Sequence, residues 1–397
     1  MKRLNQLTAS SKSHNERNIM DTIDQKYIWQ NKDWPRFTWD SNRLLPVVSR
    51  ARQAQGTILA KVKSLGLGLT NEAQAEILIE ETVQTSAIEG EILNRDSVRS
   101  SVIRQLGLDQ AALPRTERHI DGLVEILLDA TGHYETPLTD ERLKGWHAAL
   151  FPTGFSGLTK IHAGAWRSEG VQVISGPIGR ERVHFEAPSA DQVKAEMTRF
   201  IRWWEKGSRN TDGFLRAGIA HFWFVTIHPF EDGNGRITRA LTDMALAQDE
   251  KLAMRFYSLS SQIMEERSAY YDILEKSSKD SLDITAWLEW FLGSLTRAMA
   301  RSETLIAKVL AKADFWRLHA QTPMTERQRK VVNRLLDTGK GQFLGGLTTR
   351  KYMSMTKASR ATAFREISDL VEKKIIVQNP EGKGRSVSYD INWSAIA

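Results

Sequence analysis

Apolar residues recur at helical spacing from Ser41 to about Ser64, where the stretch GLGL (66–69) interrupts them. Thr70 or Asn71 can cap a following helix, NEAQAEILIEETVQTSAIEG. In it Ile79, Val83 and Ala87 fall four apart, Ile88 widens the stripe, and Gly90 is placed to end it. Further helical stretches are predicted over 95–106, 116–131 and 139–150, with Pro114 and Pro137 as boundaries. Between 158 and 188 the texture changes. VQVIS and RVHFE alternate apolar and polar residues around GPIG, which predicts a β-hairpin. Helical spacing returns at 189–207, 212–227, 235–249, 260–277 and 283–312. After Pro323, TERQRKVVNRLLDTG reads as a helix closed by Gly339, and residues 348–377 contain two helical segments. QNPEGKGRSVSYDIN then reads as strand, Gly-rich turn and strand. The aromatic stretch YIWQNKDWPRFTWD (27–40) is too irregular for a helix and fits short strands or an extended arm, with its tryptophans buried. Residues 1–20 are polar and expected to be disordered.

With 397 residues, the chain can bury two or three cores. It has no cysteine, which excludes disulfides, zinc ribbons and thiol catalysis and suits a reducing cytoplasm. The first residues lack the apolar run of a signal peptide. FLRAGIAHFWFVTIHPF (214–230) is interrupted by Arg216, His221 and His228, so it reads as a buried helix and not a membrane span. A cytoplasmic protein without membrane partners is expected. The net charge of +7 is uneven: residues 320–397 hold 14 Lys+Arg against 7 Asp+Glu, while the rest is balanced. An anionic partner is therefore sought at the C-terminal end.

The segment HPFEDGNGRITR (228–239) follows one apolar helix and opens another. Gly233 and Gly235 permit backbone angles that turn successive N–H groups into one concavity. The next helix adds the positive end of its dipole, which suits phosphate. Arg236 and Arg239 share a helix face and can grip further phosphate oxygens. Asp232 can hold a divalent cation bridging phosphates. His228 is the group able to take a proton near neutral pH. The residues alone do not say which phosphate is attacked.

HPFEDGNGRITR resembles, position by position, the Fic signature His-x-Phe-x-Asp/Glu-Gly-Asn-Gly-Arg-x-x-Arg. The resemblance implies a mainly α fold: a Fic-type helical core with a β-hairpin flap, an N-terminal helical region and a C-terminal winged helix-turn-helix. It implies AMP transfer from ATP to a Ser, Thr or Tyr hydroxyl of a target protein or of the chain itself. His228 would be the base and Phe230 the loop anchor. Asp232 would bind Mg²⁺ or Mn²⁺. Asn234 and the amides of Gly233 and Gly235 would hold the α-phosphate, and Arg236 and Arg239 the β- and γ-phosphates. The expected divisions are a tail (1–20), an N-terminal region (21–110), a catalytic core (111–315) and a winged-helix-like domain (320–397). The hairpin at 171–185 resembles the flap on which a target segment pairs, and AWRS (165–168) the step leading into it.

TSAIEG (85–90) resembles the family's inhibitory motif, Ser/Thr-x-x-x-Glu-Gly/Asn, in its N-terminal placement. Glu89 is expected in the last turn of its helix, facing the negative dipole end, which is unfavourable unless a cation answers it. The family implies Arg239 as that cation. Two other functions compete: removal of AMP from a modified protein with Glu89 orienting water, and DNA-binding regulation with a nucleotide-sensing core. UTP or GTP is an alternative donor, since none of these residues reads the base. In the tail, 356–374 is the expected recognition segment and 383–389 the wing, with Arg360, Arg365, Lys373, Lys374, Lys383 and Arg385 available to DNA phosphates. A protein-docking module and a homodimer remain open.

Overall fold

The computed structural model describes residues 27–63, 67–108, 116–175, 182–208, 210–279, 281–339, 341, 343–380 and 387–395. The expected tail (1–20), the hairpin turn at 176–181 and most of the expected wing, including Lys383 and Arg385, lie outside them. The chain divides into two units: residues up to Ser64 with Gln74–Ser302, and Leu65–Ala73 with Glu303–Ala397. As the sequence predicts, it is mainly helical. No helix among the described residues is long and apolar enough to cross a membrane.

In the first unit, residues 27–40 form an arm with one 3-10 turn, Ile28–Gln30. The backbone of Thr38 is bonded to Leu282 and Ile284, and Ile28 N donates to Ser278 O at 2.7 Å. Trp34 is buried, with its indole N–H on Glu196 at 2.9 Å, while Trp29 and Trp39 are half-buried. Helix α1 (Ser41–Lys63) follows, and α2 (Leu67–Ile88) begins earlier than predicted. The cap expected at Thr70 or Asn71 is not used, because a single glycine in a first turn costs only about 1 kcal/mol and does not stop a helix. Asn94 caps α3 (Arg95–Gln105) by accepting from Asp96 and Ser97 N–H.

Helices α4 (Arg118–Gly132) and α5 (Asp140–Leu150) meet at Gly122, where a Cβ would fall 1.9 Å from Ala149 O. A ribbon of β1 (Phe155–Ser156) and β2 (Thr159–Lys160) comes next. Two-residue strands carry too little alternation to be seen in sequence. The predicted hairpin is present as β3 (Gln172–Ser175) and β4 (Arg182–Glu186), antiparallel with Val173 opposite Phe185. Helix α6 (Ala190–Arg202) runs into a π-helical turn, Trp203–Gly207.

The unit is built around α7 (Gly213–Ile227) and α8 (Asn234–Glu250), which pack against each other. Helix α7 is apolar on nearly every face and so must be central. Helix α4 packs on α8, and α6 on α7. The predicted helix 260–277 is two, α9 (Leu259–Glu265) and α10 (Arg267–Ser277), because Glu266 leaves the helical region at φ −102°, ψ 25°. In α11 (Thr285–Leu318), Trp287 donates to Gly218 O at 2.8 Å, and a Cβ on Gly218 would stand 2.8 Å from Leu288.

In the second unit, α12 (Glu326–Thr338) starts with a Thr325–Gln328 capping box and ends at Gly339, φ 91°. Helices α13 (Thr349–Thr356) and α14 (Arg360–Glu372) follow, then β5 (Ile376–Gln378) paired antiparallel with β6 (Tyr389–Ile391). The core of this unit includes Phe315, Leu335, Tyr352, Ile367, Leu370 and Ile376.

Candidate functional site

Helix α7 stops at His228, which takes the left-handed conformation at φ 51°, ψ 59°. That geometry costs a non-glycine residue roughly 1–2 kcal/mol. A buried arginine holds it: Arg167 Nε donates to His228 O at 2.7 Å, its backbone N–H to Pro229 O at 2.9 Å, and its other nitrogens to Pro188 O and Glu169 O. The His228 ring places Nδ1 3.1 Å from Val225 O. A carbonyl only accepts, so Nδ1 carries the proton and Nε2 holds the free lone pair. Nε2 has no hydrogen-bond partner among the described residues. Burial pushes the imidazole down to about 4, so it is neutral at physiological pH.

Phe230 is fully buried and stacks on His147, ring centroids 4.2 Å apart. Asn234 staples the same loop. Its Oδ1 accepts from Phe230 N at 2.9 Å and its Nδ2 donates to Phe230 O at 2.8 Å. With both ends of the amide engaged, an anion is left to the backbone amides of Asn234 and Gly235 at the start of α8. Gly233 sits at φ 76°, and a Cβ there would meet Leu150 at 2.7 Å and Phe151 at 2.8 Å. Gly233→Ala is therefore expected to destabilise the protein by roughly 2–4 kcal/mol through backbone strain and overpacking together, read by denaturant unfolding. A loss below about 1 kcal/mol would show that the turn relaxes.

Asp232 accepts from Gly233 N at 2.6 Å and from the Ser156 hydroxyl on β1. Among the described residues no cluster of three His, Cys, Asp or Glu could hold a metal alone. A lone carboxylate beside an anion cradle is the arrangement in which Mg²⁺ is shared with substrate phosphates, so the donor set fits that mode.

Both signature arginines are engaged by glutamates from the end of α2. Arg239, 2% exposed, donates to Glu89 Oε1 at 2.8 Å, to Thr85 Oγ1 at 2.6 Å and to Thr85 O at 2.8 Å. Glu89 stands over the start of α8: a Cβ on Gly235 would lie 2.0 Å from its Oε1. Arg236 donates to Glu91 at 3.0 Å. Arg267 Nε and Tyr271 OH donate to Ile88 O at 2.8 and 3.3 Å and tie down the same helix end. Glu89 lies one residue beyond the last helical residue, not within the last turn, because Gly90 at φ 89° turns the chain away. Glu89, His228, Asp232 and Arg236 line one cleft of about 1700 Å³.

Residues 137–246, which contain this loop and both flanking helices, match the Fic/DOC family. Over those residues the chain is similar to Fic domains. Residues 27–108, which include Glu89, match a domain of unknown function (DUF4172). The chain is 29% identical over 141 residues to a probable protein adenylyltransferase of Aquifex aeolicus, a match covering 33% of this chain and 43% of that protein. A Fic family protein from Desulfovibrio desulfuricans G20 has a similar structure, with a TM-score of 0.52 at 21% identity over 90% of this chain and 98% of that one. At that identity the likeness establishes the fold. A Fic domain containing signaling protein from Bacteroides thetaiotaomicron gives a TM-score of 0.49 at 19% identity, over 66% of this chain and 96% of that one.

Ser156, Glu91, Arg267 and Tyr271 are not singled out by the sequence, and within the AWRS step the sequence does not show what Arg167 holds. A signal existed for Arg267 and Tyr271, which fall four apart on one helix face. The others meet the loop through contacts between segments distant in the chain, Ser156 with Asp232 and Glu91 with Arg236.

Proposed function

We propose that the chain transfers AMP from ATP to a hydroxyl of a protein, and that Glu89 restrains the reaction. The observation that carries this reading is the neutral His228, its Nε2 unpartnered, beside the glycine-opened N-terminus of α8. His228 Nε2 takes the proton of a Ser, Thr or Tyr hydroxyl. The freed oxygen attacks the α-phosphorus, the bond from that phosphorus to the bridging oxygen breaks, and pyrophosphate leaves. The amides of Asn234 and Gly235 hold the α-phosphate with the dipole of α8, while the Gly233 amide steadies the Asp232 carboxylate. Arg236 and Arg239 hold the outer phosphates. Asp232 would hold a Mg²⁺ or Mn²⁺ ion, which neutralises charge building on the leaving pyrophosphate. An acceptor segment of the target aligns along the β3–β4 hairpin.

The test is mass spectrometry of proteins from cells expressing Glu89→Gly beside Glu89→Gly/His228→Ala. Added AMP on Ser, Thr or Tyr is expected in the first alone. Its absence from both, together with no ATP binding by the purified variants, would overturn the reading.

The pH dependence follows from the depressed imidazole. A base must be neutral to act, and with its value near 4 it stays neutral down to about pH 5. For Glu89→Gly, kcat/KM for the magnesium complex of ATP at pH 5.5 is expected within about twofold of that at pH 7.5. An unshifted imidazole would lose about tenfold over that interval.

For the second unit we infer a winged-helix-type module that binds duplex DNA. Arg360, Arg365 and Lys374 are exposed, as is Phe364, and residues 320–397 carry twice as many basic as acidic residues. A salt-dependent electrophoretic shift of duplex DNA by the full chain, weakened in Arg360→Ala/Arg365→Ala, is expected. Protein capture without any DNA shift would mark a docking module.

A further inference from the structure

We propose that Glu91 is a second carboxylate set against the nucleotide, one that lowers its affinity by holding Arg236. The inference rests on the reading that Arg236 meets the outer phosphates of ATP.

The geometry begins with the end of α2. Glu91 N donates to Ser86 O at 3.0 Å and Gly90 N to Ala87 O at 3.0 Å. With Gly90 left-handed, this is a Schellman cap, in which the residues on either side of the glycine are fixed relative to the helix. Those two residues are Glu89 and Glu91. The same cap therefore sends both carboxylates toward the start of α8. Glu89 reaches Arg239 at 2.8 Å and Glu91 reaches Arg236 at 3.0 Å. A carboxylate at a helix C-terminus opposes the dipole, and the two arginines answer that charge.

The two pairs differ. Glu89 stands where a Gly235 side chain would be, so it excludes an anion by volume as well as by charge. The atoms nearest a Gly235 Cβ belong to Glu89 and Arg239, not to Glu91. Among the described residues Glu91 pairs with Arg236 and, at 3.5 Å, with His119. Arg236 has no other carboxylate within ion-pair distance among the described residues, and its side chain is 10% exposed. Glu91 holds Nη1 of Arg236, so a polyphosphate competes with it for that nitrogen and for the arginine's charge. Since the Glu91 side chain is 38% exposed, displacement moves it into solvent and needs no rearrangement of the helix. Glu89 thus governs whether the α-phosphate seats, and Glu91 governs how tightly the triphosphate is held.

The test is a binding measurement with the full chain, using an α,β-methylene analogue of ATP, which cannot be cleaved at the transferring bond, and AMP, which lacks the outer phosphates. Glu91→Gln is expected to lower the Kd of the analogue about tenfold, the effect of freeing one charge-assisted contact, and to leave that of AMP within about twofold. Glu91→Asp, which keeps the charge but shortens the reach, should shift the analogue in the same direction. Glu117→Gln removes the other carboxylate near His119 and should leave both ligands unchanged. Unchanged analogue binding in Glu91→Gln and Glu91→Asp with unaltered melting temperatures would overturn the proposal, as would equal tightening in Glu117→Gln. The readout does not depend on turnover. If Glu89→Gly labels protein while Glu91→Gln binds no tighter, only the assignment of Glu91 falls. If Glu91→Gln tightens binding while no variant transfers AMP, the pair stands and the proposed activity falls.

Discussion

Replacing Glu89 by glycine is expected to raise AMP transfer about 100-fold, the factor associated with a misplacement of roughly 1 Å at the reacting centre. In the present arrangement the Glu89 carboxylate lies against Gly235, on the helix start proposed to seat the α-phosphate, and holds Arg239 Nη2 at 2.8 Å. Removing it clears that volume and frees one N–H of Arg239 Nη2. Arg239 keeps its place, because Thr85 still accepts from Nε and Nη2. Its Nη1, which has no hydrogen-bond partner among the described residues, lies 3.1 Å from the position of a Gly235 Cβ and so already faces the cradle. The measurement is incorporation of α-labelled ATP into protein, including the chain itself, with melting temperature as the fold control. A folded variant with no gain would remove Glu89 as the brake. If the wild type instead releases AMP from a modified target and Glu89→Gly does not, the glutamate serves the reverse reaction.

In the Glu89→Gly background, removing the imidazole is expected to cut turnover by about 10²–10⁴-fold, the usual contribution of a positioned general base. His228 is the titratable group at this loop with a free lone pair, and neutrality keeps that lone pair available. The choice of substitution matters, since position 228 sits at φ 51°. Asparagine tolerates this conformation better than alanine and has no basic nitrogen, so His228→Asn is the cleaner variant and His228→Ala its companion. Binding of the uncleavable ATP analogue should stay within about threefold, because the phosphate contacts are made by other groups. Retained turnover in both variants would assign proton removal elsewhere. Lost analogue binding in both would mean that the loop has collapsed, and the glutamate background should then be compared by melting temperature.

Most helices were legible because their causes are local. The apolar spacing of α1, α3, α5, α7 and α8 placed them within a few residues, and the one-sided or all-round burial follows from the same pattern. The errors have local causes too. Gly68 did not break α2, and a single residue, Glu266, divided a periodic stretch into α9 and α10. The candidate site was legible for a similar reason. Its loop residues fall within twelve consecutive positions, where glycine angles and a helix start dictate geometry over one or two turns.

The contacts that prepare the loop span long sequence distances. Arg167 holds the His228 carbonyl across 61 positions, and Glu91 reaches Arg236 across 145. Asn234 is a local case of the same limit: its residue type was evident, but the direction of its amide, toward Phe230, was not. By itself the sequence determined the order of helices, the glycine-opened turn and the groups able to grip phosphate and take a proton, because backbone sterics and periodicity act over a few residues. Tertiary structure alone decided which nitrogen of His228 is free, that burial keeps it neutral, and that Glu91 stands against Arg236. Those properties depend on what packs beside a group, and distant segments of the chain supply the packing.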